Sequence, residues 1–473
     1  MIIIILELKS KHKTPMNKNT IFQHDFQKKS SESSQLSLFH LANFNKKPVE
    51  LSFTQENTSN DGGLLLLKEI DQQIGLIDRL SRCINDTRHQ GYVRHRLDSM
   101  FRQRIMQIAA GYEDTNDCNL LKDDGILKLC SNSEQSLASQ PTMCRLENLP
   151  SSRELYKMAQ VFIDVFVTSY DAPPEFIILD CDDTSALVYG QQELALFNTY
   201  YGDHCFMPLH IYEGITGKLV TTILKPGRRS KSINVFSIMK KLINYLHEKW
   251  PNTLIILRGD SHFCSKEFMD WSHQDNKTGF ITGLSGNKAL HDKARITIDS
   301  AEREYAQYGK PVKRYHSFEY KAAGWEHPQR VVVKVEVSSM GTNIRYIASS
   351  LRNIRAKPLY EQGYCARGSA ELRIKDHKTY LLSDRMSCSS FKANQFRLFL
   401  HSAAYVLIHT LQSQVLRGTE FCKATMKTIQ LKVLKIAAKV KIMKTKVKVE
   451  LPIKFYSRWE FEKCLGIFEI LRI

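Results

Sequence analysis

Apolar residues recur along this chain with two different periods, and the change between them falls near residue 172. From Asn60 to about Tyr170 the spacing is helical. Asp61-Gly62-Gly63 leads into a run over Leu64–Ile77, and Leu155, Met158, Phe162 and Val165 follow one another at three- to four-residue steps. Ala172-Pro173-Pro174 marks a boundary, because a proline pair breaks a helical pattern. Beyond it, short apolar strands are predicted at Phe176–Cys181, Cys205–Tyr212 and Lys218–Leu224, the last two joined by a turn over residues 213–217. Val235, Met239, Leu242, Ile243 and Leu246 predict an amphipathic helix that stops at Trp250-Pro251. A strand at Leu254–Leu257, a helix around Lys266–Gln274 and a strand at Thr278–Leu284 complete the run. The order β-β-β-α-β-α-β predicts an α/β fold, an antiparallel meander that becomes a parallel sheet with crossover helices. Residues 285–350 read as more strands, chiefly Arg330–Val337 and Ile344–Ser349, and helices resume near Leu359 and run to about Gln414.

The ends read differently. Residues 1–45 are polar and rich in Lys, Ser, Asn and Gln, which predicts a mostly disordered start. The apolar opening from Met1 to Leu6 is too short for the core of a signal peptide and is followed by Glu7 and Lys9; Met16 is an alternative start. The apolar run from Leu398 to Leu411 is interrupted by His401, Ser402 and His409, so it reads as a buried helix rather than a membrane span. Eleven cysteines without a C-x-x-C pair argue against a disulfide framework and a zinc ribbon. The expectation is a cytoplasmic protein with reduced thiols and no membrane partner.

Charge narrows the partner. The chain carries a formal net charge of +18 at an ordinary hydrophobic fraction of 42%. That excess favours a polyanion, because each Lys or Arg set on a phosphate releases a counterion. A basic stretch, Arg94, His95, Arg96, Arg102 and Arg104, is either a solvated helix face or a helix that contacts DNA.

Three places carry candidate chemistry. Asp180, Asp182 and Asp183 end the first strand, and with a period of two Asp180 and Asp182 share a face. Adjacent carboxylates among apolar neighbours are electrostatically costly, and a divalent cation relieves that cost; a solvated acidic strand end gives the same pattern. Asp260 follows the fourth strand, where Gly259 is expected to allow a tight turn that aims the carboxylate across the sheet edge; a helix N-cap is the alternative. Tyr364, Arg367, Glu371 and Lys378 stand at offsets of three, four and seven, close to one face of a helix, with Lys375 on the same stripe. Ion pairs on an exposed face are the plainer account, yet they leave unexplained why two cations bracket a single Glu. Together these residues suit in-line attack on phosphorus. Two Mg²⁺ ions, for which Mn²⁺ can substitute, would be held by carboxylates from two strand ends and a later helix.

On these residues the sequence resembles the bacterial insertion-sequence transposases of the DDE type, in the group known as transposase DDE domain group 1. The resemblance runs from about Asn60 to Arg458. It rests on Leu179-Asp180-Cys181-Asp182-Asp183-Thr184, Gly190-Gln191-Gln192, Phe197-Asn198 with Tyr201-Gly202, Leu224-Lys225-Pro226-Gly227 and Leu257-Arg258-Gly259-Asp260-Ser261-His262-Phe263. Tyr364-Cys365-Ala366-Arg367-Gly368, Ser383-Asp384-Arg385 and Ala393-Asn394-Gln395-Phe396-Arg397-Leu398 extend it. Tyr364, Arg367, Glu371 and Lys378 match the Y-(2)-R-(3)-E-(6)-K signature of the wider superfamily. Cys181 and Ser369-Ala370 depart from the pattern without touching the acidic residues.

The resemblance implies a ribonuclease-H-like mixed sheet with a β-rich insertion at about 285–350, together forming a catalytic domain over 172–415. It implies a helical DNA-end-binding region over 46–171, after the polar start, and a basic extension over 416–473. It further implies a metal-binding catalytic triad of Asp182, Asp260 and Glu371, with Asp180 as the alternative first aspartate. Arg367 and Lys378 become phosphate contacts, Tyr364 a positioning residue, and Lys375 a further DNA-side residue. The partners implied are double-stranded DNA, both terminal inverted repeats and target, and a second copy of the chain to pair two ends.

The tail adds a last expectation. Residues 423–454 carry ten lysines, partly alternating with apolar residues. The pattern predicts one strand with a bulge at Met443, Val447, Val449 and Leu451 facing the core, and Lys444, Lys446 and Lys448 along DNA backbone or simply in water.

Overall fold

The computed structural model describes residues 39–44, 47–51, 57–228 and 234–471. The chain divides into two units, Met1–Glu56 and Asn57–Ile473. In the first, Phe39–Phe44 pairs antiparallel with Lys47–Leu51, inside and just beyond the stretch whose composition predicts disorder. Residues 1–38, on which most of that expectation falls, lie outside the described residues.

The second unit is built on a mixed sheet of eight strands. In chain order these are β1 (Phe176–Asp183), β2 (Leu209–Glu213), β3 (Leu219–Ile223), β4 (Leu254–Gly259), β5 (Thr278–Leu284), β6 (Val312–Tyr320), β7 (Gln329–Ser338) and β8 (Gly341–Ser349). Across the sheet they run β6-β7-β8-β5-β4-β1-β2-β3. β1, β4 and β5 are parallel; every other neighbouring pair is antiparallel. The two parallel crossovers use helices α1 (Val235–Lys249) and α2 (Lys266–Gln274). Both bury an apolar stripe on the sheet, Met239, Leu242, Ile243 and Leu246 from α1 and Phe268 and Met269 from α2. The expected second strand is cut at Met207-Pro208, and its first part, Asp203–Phe206, joins a separate small sheet with Ala186–Leu187 and Leu196–Asn198. Proline has no amide to give the ladder, so the strand changes partner there.

The helices over residues 64–168 pack around a long later helix, Phe391–Thr410, on which Phe101 meets Phe396 with ring centroids 5.3 Å apart and Phe162 meets Phe399 at 5.5 Å. The apolar run 398–411 is therefore core. Among the described residues no helix is long and apolar enough to cross a membrane.

Three expectations change. Residues 285–350 hold a 21-residue helix, Lys288–Tyr308, besides their strands. Its buried stripe is only Leu290, Ala294 and Ala301, too narrow to announce itself in the pattern. The basic stretch divides: Arg94 and Arg96 are exposed, but Arg104 is buried, faces Glu147 at 3.8 Å and donates to the Tyr112 carbonyl, and Arg102 pairs with Asp78 and Asp98. The lysine-rich tail is a hairpin rather than one bulged strand. Ala438–Ile442 pairs with Val447–Glu450 across a turn closed by Met443 N donating to the Lys446 carbonyl at 2.9 Å. Val449 and Leu451 pack on the core, while Val447 is half exposed.

Candidate active site

The register of two strands places the acidic residues. In the parallel pair β1–β4, Arg258 stands beside Asp180 and Gly259 beside Cys181. One step further the pairing of the two strands ends, with Asp182 next on β1, which runs on to Asp183 beside β2, and Asp260 just past the end of β4. Asp182 and Asp260 line one open cavity of about 1070 Å³, together with Asp183, Lys225, His262 and the aromatic residues Phe197, Tyr200 and Tyr201.

Asp180 lies deeper and does not line that cavity. It is fully buried, and both its oxygens accept from Arg258, Oδ2 from Nη2 at 2.8 Å. Arg258 also donates to the Gly363 carbonyl at 2.7 Å. This pair ties β1 and β4 to the segment that leads into Glu371. Its signal in the sequence is a lone Asp and a lone Arg in apolar strands, each two residues before a carboxylate at the strand end.

Burial and the neighbouring charges of Asp260 and Asp183 push the Asp182 carboxyl up to about 6, against the pull of Arg367. Asp183 is raised as well, chiefly by burial; Lys225 Nζ donates to its Oδ2 at 2.7 Å, while its Oδ1 is buried without a hydrogen bond. The sequence offers Asp183 only as one of three adjacent carboxylates and gives no sign that Lys225, in the motif Leu224-Lys225-Pro226-Gly227, is its partner. Asp260 serves two ends at once, since its Oδ1 accepts from His262 N at 2.8 Å and caps the turn Ser261–Phe263. Gly259 has another reason than the expected tight turn: a side-chain carbon there would sit 2.6 Å from the Phe263 ring.

Glu371 lies on α3 (Gly368–Lys375), which is flanked by irregular turns. Leu359–Tyr364 and Asp376–Tyr380 are wide π turns and Cys365–Arg367 is a tight 3₁₀ turn, so the expected single helical face is interrupted. The Tyr212 hydroxyl, 3.1 Å from His377 Nδ1, pins the second wide turn to β2. Arg367 reaches back from α3's start, donating through Nη1 to Asp182 at 3.0 Å and through Nη2 to Glu371 at 3.2 Å. Glu371 itself is 62% exposed in its side chain and meets the strand-end carboxylates through Arg367. Tyr364 packs its hydroxyl over Gly283, where a side-chain carbon would be only 2.8 Å away. Lys378 Nζ donates to the Ser185 carbonyl at 2.5 Å, and Lys375 lies over the Tyr380 ring at 5.9 Å. Lys444 and Lys446 are exposed in the hairpin turn, remote in sequence from these elements, and Lys448 pairs with Glu450 at 3.0 Å.

The donor set suits a hard divalent cation. Two strand-end carboxylates share a cavity, one of them costly to ionise alone, and a third carboxylate leaves an oxygen unpartnered. Among the described residues no three His, Cys, Asp or Glu side chains already stand in metal-holding geometry, and Glu371 accepts from Arg367.

The sequence matches the family described as "Transposase DDE domain group 1" over residues 41–472. No curated protein matches it. Among solved structures it is similar to the piggyBac transposase in a synaptic complex with hairpin DNA, at 12% identity and a TM-score of 0.42, covering 80% of this chain and 83% of that one.

Proposed function

Because the chain belongs to the transposase DDE domain group 1 family, we propose that it binds the terminal inverted repeats of its own insertion sequence, cuts the DNA there and joins the 3′-hydroxyl ends to target DNA. The observation that carries this reading is the emergence of Asp182 and Asp260 at adjacent ends of parallel strands in one open cavity, with Arg367 linking Asp182 to Glu371. We read the eight-stranded sheet and its helices as a ribonuclease-H-like core, with residues 285–350 as its insertion.

Asp182, Asp260 and Glu371 would hold divalent cations, Mg²⁺ by preference. When bound, such a pair of ions activates the attacking oxygen and stabilises the leaving one during in-line displacement at phosphorus. The chain's own groups do the rest. Arg367, freed from its carboxylates, offers a planar fork to a phosphate, and Lys378, on the wide turn after α3, adds a second cation on the Ser185 side. Lys225 neutralises Asp183, so the cavity keeps its negative charge on the groups that face substrate. Tyr364 fixes the start of the Glu371 segment against β5. The helical region over 46–171 would grip the DNA ends, a homodimer would pair two of them, and the work would be done in the bacterial cytoplasm.

The test is a plasmid carrying the element's two ends, incubated with purified protein and Mg²⁺ or Mn²⁺. Nicked ends and joined products are expected. Cutting without joining would make the protein a nuclease of the same fold. No metal-dependent cutting at all would leave only a DNA-binding derivative.

A further inference from the structure

Between β1 and β2 the chain leaves the large sheet for the small three-stranded one, and this excursion is firmly tied at its base. Ala186, Val188 and Phe206 are buried with Leu224, Met386 and Leu398. Gln192 Nε2 donates to the Met386 carbonyl at 2.8 Å, Glu193 N to the Ser389 carbonyl at 2.9 Å, and Asn198 Nδ2 to the Gly227 carbonyl at 2.7 Å. Its other side is bare. Tyr189 is 85% exposed and Tyr200 87%, and Leu194, Phe197 and Tyr201 are also exposed. A segment with a buried anchor does not need five large apolar side chains in water, and an exposed cluster of this kind marks a binding surface.

Its position identifies the occupant. Phe197, Tyr200 and Tyr201 line the same cavity as Asp182 and Asp260. Tyr200 and Tyr201 stand perpendicular, ring centroids 4.9 Å apart, and Phe197 is set edge-on to His204 at 5.5 Å. Lys378 Nζ donates to the carbonyl of Ser185, just before the excursion begins, and Lys225 and Arg228 line the cavity itself. Rings and cations lining one cavity with two carboxylates fit a strand with a charged backbone and flat faces to stack, and duplex DNA hides those faces.

We infer that Phe197, Tyr200 and Tyr201 form a stacking platform for unpaired nucleobases of the DNA strand held at Asp182 and Asp260. This rests on the proposed DNA-cutting function. The platform holds bases next to the scissile phosphate once they have left the duplex, so it favours strand ends that are frayed or distorted.

The experiment uses the full chain in EDTA and two fluorescein-labelled probes of equal charge, an oligothymidylate of about 20 nucleotides and an abasic strand of the same length, read by anisotropy. The wild type should bind the oligothymidylate more tightly than the abasic strand. The double variant Tyr200→Ala, Tyr201→Ala should lose about fivefold or more of its affinity for oligothymidylate alone, since each stacked base contributes on the order of 1 kcal/mol or more. Tyr200→Phe, Tyr201→Phe should retain it, because the rings remain. Equal binding of both probes by the wild type overturns the inference, as does an equal loss on both probes in the alanine variant. A monomer produced by the alanine variant from a wild-type dimer in light scattering, with no change in probe preference, would make this face a contact with a second copy instead. If metal-dependent cutting proceeds but the preference for bases is missing, the platform alone fails. If the preference holds and cutting is absent, the enzyme reading fails and the platform stands.

Discussion

Arg367 divides its guanidinium between Asp182, at 3.0 Å, and Glu371, at 3.2 Å. A single side chain thus bridges the strand end and the helix that must converge for a DDE site, and it occupies the place where positive charge is wanted. In the proposed reaction it turns to phosphate. Arg367→Gln should therefore slow single-turnover cleavage by about a hundredfold or more, as loss of a transition-state donor does. DNA affinity should hardly change, because many other cations share the backbone. A large fall in affinity at an unchanged single-turnover rate would make Arg367 a DNA anchor instead.

Asp180 and Asp182, two residues apart on one strand face, are expected to fail in opposite ways. Asp182→Asn, Asp260→Asn and Glu371→Gln should each abolish cleavage and leave DNA binding in place, since shape is kept and the ligand charge is lost. Asp180→Ala strands the buried Arg258 charge and should lower unfolding stability by about 3–5 kcal/mol in a urea titration. An active Asp182→Asn beside a folded but dead Asp180→Asn would exchange the two roles.

The raised Asp182 carboxyl predicts how stability varies with pH in the absence of metal. Moving it from its usual 3.8 to about 6 means that the folded protein binds the proton more tightly than the unfolded chain. The charged form is disfavoured by about 3 kcal/mol, at 1.36 kcal/mol per pH unit. The stability this group contributes is full below about pH 4 and is lost as pH rises through about 6. In EDTA, Asp182→Asn should therefore unfold at a higher temperature than the wild type at pH 7.5, and the difference should shrink towards pH 4. Identical melting at pH 7.5 would mean that Asp182 ionises freely in the folded protein.

Much of this site is legible in the sequence, because strand ends announce themselves. Apolar runs that stop at Asp182 and at Asp260 place two carboxylates on one sheet edge, and the contact of Arg367 with Glu371 is the i,i+4 ion pair that the helical spacing offers as its plainer account. What the sequence does not carry is register. Nothing in the pattern says that Arg258 stands beside Asp180, so the sequence keeps Asp180 as an alternative to Asp182 with no sign of its buried partner. Nor does spacing reveal π turns: Leu359–Tyr364 and Asp376–Tyr380 keep a helical pattern while widening the coil, so Lys378 reaches Ser185 rather than the Glu371 face. The helix Lys288–Tyr308 leaves little trace in the apolar pattern because two of its three buried residues are alanines.

The lysine hairpin offers a test by salt. Lys441 and Lys448 face each other across the pair Ala438–Ile442 and Val447–Glu450, and both are held by Glu450, at 2.9 and 3.0 Å. Their bonds keep the Glu450 carboxyl down at about 2, so this triad stays charged at any working pH. Lys444 and Lys446, at the turn, are exposed, and they are the ones that can meet backbone phosphate. Each phosphate contact contributes about 0.9 to the slope of log affinity against log salt on duplex DNA. Replacing Lys444 and Lys446 with Gln should flatten that slope by about two units. Adding Lys448→Gln should flatten it by less than one unit more, because Lys448 already shares a carboxylate. Circular dichroism checks that the variants remain folded, and Val449 and Leu451, which anchor the hairpin, are untouched. An unchanged slope in the folded double variant would mean that this turn stays in solvent, where its lysines only keep an edge strand from pairing with other chains.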